Sequence, residues 1–148
     1  MWQAQIFTLY PEFFPGPLSK GLYGKALEKK IWNLKVVNIR DAAEDKHKTV
    51  DDTPFGGGAG MLLKADILAR SIDKNLKDNS RIFYLSPKGK KFDQKLAKEL
   101  SKEKSINLIC GHFEGVDERL LSTRNIEEIS IGDFILSGGE SAAVVIID

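Results

Sequence analysis

Apolar residues recur along the chain in two alternating patterns. Short, mostly apolar runs occupy Trp2–Leu9, strongest over Ile6–Leu9, then Leu34–Ile39, Arg81–Leu85, Ile106–Cys110 and Ile126–Ile131. Between them, apolar positions return every three or four residues. Leu18, Leu22, Ala26 and Leu27 do so within Pro17–Lys30, Ile67, Leu68, Ile72 and Leu76 within Lys64–Leu76, and Phe92, Leu96 and Leu100 within Phe92–Lys102. The first pattern predicts strands buried on both faces, the second amphipathic helices. Asp117–Ser122 predicts a helical turn, and a last helix starts at Glu140. Strands alternating with helices imply an α/β fold, a parallel sheet with helices on both faces. There is no internal repeat and no low-complexity segment.

In such sheets ligands bind beyond the carboxyl ends of the strands. Three segments occupy that position: Ser86–Lys91, Gly111–Asp117 and Gly132–Gly139, all bearing glycine. Arg40–Gly60 is a separate case. It has no periodicity, and so long a connection inside a compact domain is expected to be a lid or binding loop ordered by substrate.

Composition narrows the picture without redirecting it. The 148 residues, 42% hydrophobic and 29% charged, suit one domain with an ordinary core and no need of a disulfide or metal staple. Cys110 is the single cysteine, so no internal disulfide can form, and its apolar run makes it a buried small hydrophobe. The expected compartment is the reducing cytoplasm. Lysine and arginine total 22 against 21 acidic residues, a net charge of +1, so nucleic-acid contact has to come from local patches. No window approaches the roughly 18 apolar residues of a membrane span. The start, MWQAQIFTLYPEFF, lacks the features of a signal peptide. Ala142–Asp148 stops without a capping signal, and the chain is therefore expected to be a fragment of a longer protein.

The motifs carry more chemistry. GGGAG at Gly56–Gly60 is neither a Walker loop nor a dinucleotide fingerprint, because Met61 and Leu62 follow and no strand runs directly into it; it reads as a hinge or as a ligand contact. His47, flanked by Lys46 and Lys48, reads with Asp51 as a solvated loop or as an RNA contact. With two histidines in the chain, no structural metal site is expected. In CGHFEGVDER, Cys110–Arg119, Asp117 reads as a helix N-cap with Arg119 its ion-pair partner, while Gly111–Gly115 carries the carboxylate Glu114 in a glycine-bounded turn. In SIGDFILSGGE, Ser130–Glu140, Ile135 and Leu136 lie in a loop bounded by glycines, suited to wrapping a flat heteroaromatic ring whose edge the backbone reads.

YLSPKG at Tyr84–Gly89, CGHFEGVDER and SIGDFILSGGE resemble, in order and spacing, the three cofactor loops of the bacterial tRNA (guanine-N1)-methyltransferases, members of the trefoil-knotted SPOUT superfamily. The opening strand with PEFF resembles that family's start, and KHKTVDDTPFGGGAGM at Lys46–Met61 its substrate loop. The resemblance covers essentially the whole chain. It implies a C-terminal trefoil knot, a single S-adenosylmethionine-binding catalytic domain over residues 1–148, and a homodimer with sites shared between subunits. It implies methyl transfer to N1 of the guanosine 3′ of the tRNA anticodon, with magnesium assisting, and neither DNA nor a membrane as partner. It places Tyr84, Leu85, Ser86 and Pro87 on one wall of the cofactor site and Gly111, Glu114 and Gly115 on a second. Ser130, Ile131, Gly132, Phe134, Leu136, Gly138 and Gly139 form the third, around adenine. Glu114 falls near the methionine end as a supporting catalytic residue, and His47, Asp51 and Gly60 match positions that handle tRNA. Three departures stand out. His112 replaces an arginine of some members, Ser141–Ala142 replaces a frequent Leu-Pro pair, and the family's aspartate base, an arginine partner and a tRNA-binding domain are expected beyond Asp148.

Two readings compete with this one: another knotted RNA methyltransferase, acting on ribose 2′-hydroxyl or ribosomal RNA, and a cofactor-binding module inactive through truncation. A nucleotide-triphosphate switch is disfavoured by the missing Lys-Ser/Thr.

Overall fold

The structure is a computed structural model that describes residues 1–44, 50–52, 62–112 and 115–148. Five strands, β1 (Trp2–Thr8), β2 (Trp32–Asn38), β5 (Arg81–Lys91), β6 (Ser105–Cys110) and β7 (Ile126–Ser130), form one sheet in the order β2-β1-β6-β5-β7. Every pairing in it is parallel, as the mostly apolar strand runs predict. Helices α1 (Gly21–Glu28), α2 (Ala65–Asn75), α3 (Gln94–Ser101), α4 (Glu118–Thr123) and α5 (Glu140–Ile147) connect or follow the strands.

Strand alternation sorts the side chains into two cores. On one face Phe7, Ile82, Tyr84, Ile109 and Ile126 pack with Leu68 and Ile72 of α2 and Leu120 and Leu121 of α4. On the other, Ile6, Phe83, Leu85, Leu108, Cys110 and Ile129 pack with Leu96 and Leu100 of α3 and Ala142, Ala143 and Ile146 of α5. Helices therefore cover both faces, and the expected fold class holds. Cys110 is fully buried.

Local chemistry sets several boundaries. The expected helix Pro17–Lys30 is divided: Gly16–Ser19 is a 3-10 turn, and α1 begins only at Gly21. Asp93 caps α3 by accepting from Leu96 N, which leaves Phe92 before the helix. Asp117 caps α4 through Arg119 N, and its carboxylate also pairs with the Arg119 guanidinium at 2.6 Å.

Two segments are more ordered than their composition suggests. Val50–Asp52 is tied to residues 62–64 through a two-residue antiparallel ladder, β3 (Asp51–Asp52) with β4 (Leu62–Leu63), and through Lys64 N donating to Val50 O at 2.7 Å. The composition of Ser86–Lys91 predicts a loop, yet β5 pairs again at Lys90. Leu85 and Lys90 both pair with Ile129, so Ser86–Gly89 bulges out of the ladder. Gly89 returns the chain to the sheet, because a Cβ there would press into the Glu128–Ile129 backbone.

Candidate functional site

The parallel order brings the carboxyl ends of β6, β5 and β7 side by side, and the three glycine-bearing loops meet there. A cavity of about 260 Å³ is lined by Tyr84–Lys88 from the bulge, by Gly111, His112, Gly115 and Val116 after β6, and by Ser130–Gly132 and Phe134–Gly139 after β7. Tyr84, Leu85, Ser86, Pro87, Gly111, Gly115, Ser130, Ile131, Gly132, Phe134, Leu136, Gly138 and Gly139 thus share one wall system. Glu114, His47 and Gly60 lie outside the described residues, and Asp51 is described in backbone only, in β3.

Close backbone approach explains the glycines better than turn geometry does. Gly139 sits against β6: its N–H donates to Gly111 O at 3.0 Å, and an added Cβ would lie 2.8 Å from Cys110 Cα. A Cβ at Gly138 would enter the His112 ring, and one at Gly111 the Tyr84 phenol. Gly115 has φ +118, a conformation that side chains rarely adopt. Ser130 pins the third loop by donating to Gly132 O at 2.9 Å and accepting from Gly132 N at 3.1 Å. That loop holds Phe134, Ile135 and Leu136 exposed at the rim, an apolar surface offered to whatever enters.

A buried polar chain ties these loops to β1. Glu140, the first residue of α5, is 6% exposed. One of its oxygens meets His112 Nε2 at 2.6 Å and the other accepts from Thr8 Oγ1 at 2.6 Å. Tyr10 N–H donates to Thr8 Oγ1 at 3.0 Å, and the Tyr10 ring packs edge-on to His112 with centroids 5.0 Å apart. Three segments distant in sequence are therefore held in one place. The α5 N-terminus also favours the Glu140 negative charge.

Burial alters two groups at the cavity. The Tyr84 phenol is pushed up to about 12, chiefly by burial and further by the nearby Glu128 carboxylate, so it stays protonated and able to donate. The Cys110 thiol is pushed up by burial, which keeps it from acting as a nucleophile. At the outer lip the Lys88 ammonium meets Glu118 at 2.9 Å, and that pairing raises its pKa.

The strand β4 is tethered at this cavity. Leu63 N donates to Gly115 O at 2.8 Å, and Leu63 bridges to Val116 in parallel. β4, and β3 paired with it, is therefore joined to the loop that follows β6. Among the described residues no group of three or more His, Cys, Asp or Glu could hold a metal ion. No described helix is long and apolar enough to cross a membrane.

Sequence reasoning missed Thr8, Glu140, Glu128 and Leu121. Glu140 left one trace, a lone acid opening an otherwise apolar helix. Thr8 left none, because its partner is 132 residues away.

Residues 2–148 match the family model described as tRNA (Guanine-1)-methyltransferase TrmD. A tRNA (guanine-N(1)-)-methyltransferase of Pelagibacter ubique (strain HTCC1062) is 84% identical over 148 residues, covering 100% of this chain and 65% of that protein. Proteins of the same description from Bartonella tribocorum and from Wolbachia pipientis subsp. Culex pipiens are 56% and 53% identical, each over 99% of this chain. They are covered over 63% and 64% of their own lengths, so the chain spans less than two thirds of each of these relatives. With the match running from Trp2 to Asp148, the chain belongs to the tRNA (guanine-1)-methyltransferase family.

Proposed function

We propose that this chain forms the cofactor-holding part of an enzyme that methylates N1 of the guanosine 3′ of the anticodon in tRNA, with S-adenosylmethionine as the donor. The observation that carries the reading is the meeting of three glycine-bearing loops in one cavity at neighbouring strand ends. The fit to the cofactor rests on the donor set: close-packed backbone at Gly111, Gly138 and Gly139 to read a ring edge, and apolar Phe134, Ile135 and Leu136 to cover its face.

When bound, S-adenosylmethionine supplies an activated methyl group. The protein's task is then position. In this reading Tyr84–Pro87 form one wall, Gly111 and Gly115 the second, and Ser130–Gly139 hold adenine. The buried Glu140 fixes the second and third walls against each other. Holding donor and acceptor in line at roughly 3–3.5 Å contributes several kcal/mol. Guanine N1 carries a proton that a base must take, and the target base must leave its stack to be reached. Glu114 supports the site without being that base. His47, Asp51 and Gly60 handle tRNA, and β4, which follows them in sequence, is bonded to Gly115 at the cavity. The C-terminal trefoil knot and the homodimer belong to the same proposal.

The test has two stages. Calorimetry should show S-adenosylmethionine binding to the chain. The intact enzyme should then place the methyl group on guanine N1, mapped by mass spectrometry. A methyl on ribose 2′-oxygen would instead favour a different RNA methyltransferase activity. Full activity in Glu114→Gln would remove that residue from the site.

A further inference from the structure

We propose that Glu128 is a ligand-reading residue, accepting a hydrogen bond from an N–H or O–H donor of the molecule in the cavity. The proposal deepens the cofactor reading and rests on it. Glu128 lines the cavity from β7, directly beside Tyr84 in the strand register. It occupies the strand face of the buried Ile126, where an apolar side chain would be the ordinary choice. Its Oε2 is buried and has no hydrogen-bond partner among the described residues.

Nearby cations do not meet this need. Lys88 Nζ is engaged with Glu118, and Arg81 with Glu127 and Glu99. An unpaired buried acceptor lowers stability, and a ligand that supplies a donor to it offsets that cost on binding. An ionised carboxylate only accepts, so that partner has to be a donor. S-adenosylmethionine offers such donors at the adenine amine, the ribose hydroxyls and the α-ammonium; its sulfonium has none. Glu128, beside Tyr84, thus becomes part of the recognition surface that Phe134–Leu136 also line.

Calorimetry of the parent chain and of Glu128→Gln, with S-adenosylmethionine, S-adenosylhomocysteine and adenosine as separate probes, tests this. The expected result is binding about tenfold weaker in the variant. Loss with all three probes places the donor on the nucleoside; loss with the first two alone places it on the ammonium. Loss confined to S-adenosylmethionine would trace to the charged sulphur and overturn the hydrogen bond. Affinities in both Glu128→Gln and Glu128→Leu equal to the parent's would also overturn the proposal while leaving the cofactor site intact. A parent chain that binds no probe would overturn the cofactor reading as well. Thermal melting without ligand separates a structural role: the variant should melt no lower than the parent, and a fall in both melting temperature and affinity would make Glu128 a structural residue.

Discussion

At the amino ends of β5 and β7, Arg81 reaches Glu127 at 2.9 Å and Glu99 at 3.1 Å, with side chains between 30% and 58% exposed. At the carboxyl end of the sheet, Glu140 meets His112 at 2.6 Å with side chains 7% and 14% exposed. Charge serves a different purpose at each end. The exposed network clips strands together in water, where screening leaves it worth little. The buried chain of Thr8, Glu140 and His112 has little screening and strict geometry, and it sets the relative position of two glycine loops. The difference teaches that the site end relies on polar contacts that are costly to disturb, while the opposite end tolerates change.

The sharpest way to break the comparison is Glu140→Ala. It takes from the half-buried His112 ring and the buried Thr8 hydroxyl the carboxylate they share, and should cost about 3 kcal/mol of stability with little dependence on salt. Chemical denaturation at low and high ionic strength measures both. Next is Gly139→Ala, which forces a methyl group against the Cys110 and Gly111 backbone. We expect about 2 kcal/mol, roughly a thirtyfold loss, in S-adenosylmethionine affinity, read by calorimetry. At the other end, Arg81→Ala should cost about 1 kcal/mol, and the cost should shrink in high salt. A salt-insensitive loss matching that of Glu140→Ala would erase the contrast.

The smallest effect appears only in alkali. The Tyr84 phenol, held up to about 12 against an ordinary 10, stays protonated in the folded chain while the unfolded chain releases its proton. The unfolded state is then favoured, so this contribution to stability is constant below pH 10 and falls as pH rises through 10 to 12. Tyr84→Phe should remove that decline, and an ultraviolet titration should show one tyrosine ionising late.

The sheet was legible because each central strand is dominated by apolar residues. Ile106–Cys110 needs no partner to announce that both its faces are covered. The site was legible where glycine marks close approach, as at Gly138 and Gly139. What stayed hidden depends on distance in sequence. Thr8 and Glu140 are ordinary residues until the fold joins them, and Glu128 resembles its solvent-facing neighbour Glu127 until strand register turns one to the cavity and the other to Arg81. The resumption of β5 at Lys90 was hidden for a similar reason: Ser-Pro-Lys-Gly reads as a loop, and only pairing with Ile129 restores the strand.

The central claim is that the three loops form one S-adenosylmethionine site. A crystal structure of the chain grown with S-adenosylmethionine tests it most directly. The account predicts the adenine ring against Ser130–Gly139, with the remainder of the molecule passing between Tyr84–Pro87 and Gly111–Gly115. Density for the cofactor in the groove between Trp2, Leu100 and Ile147, or none at any site at saturating concentration, would contradict it.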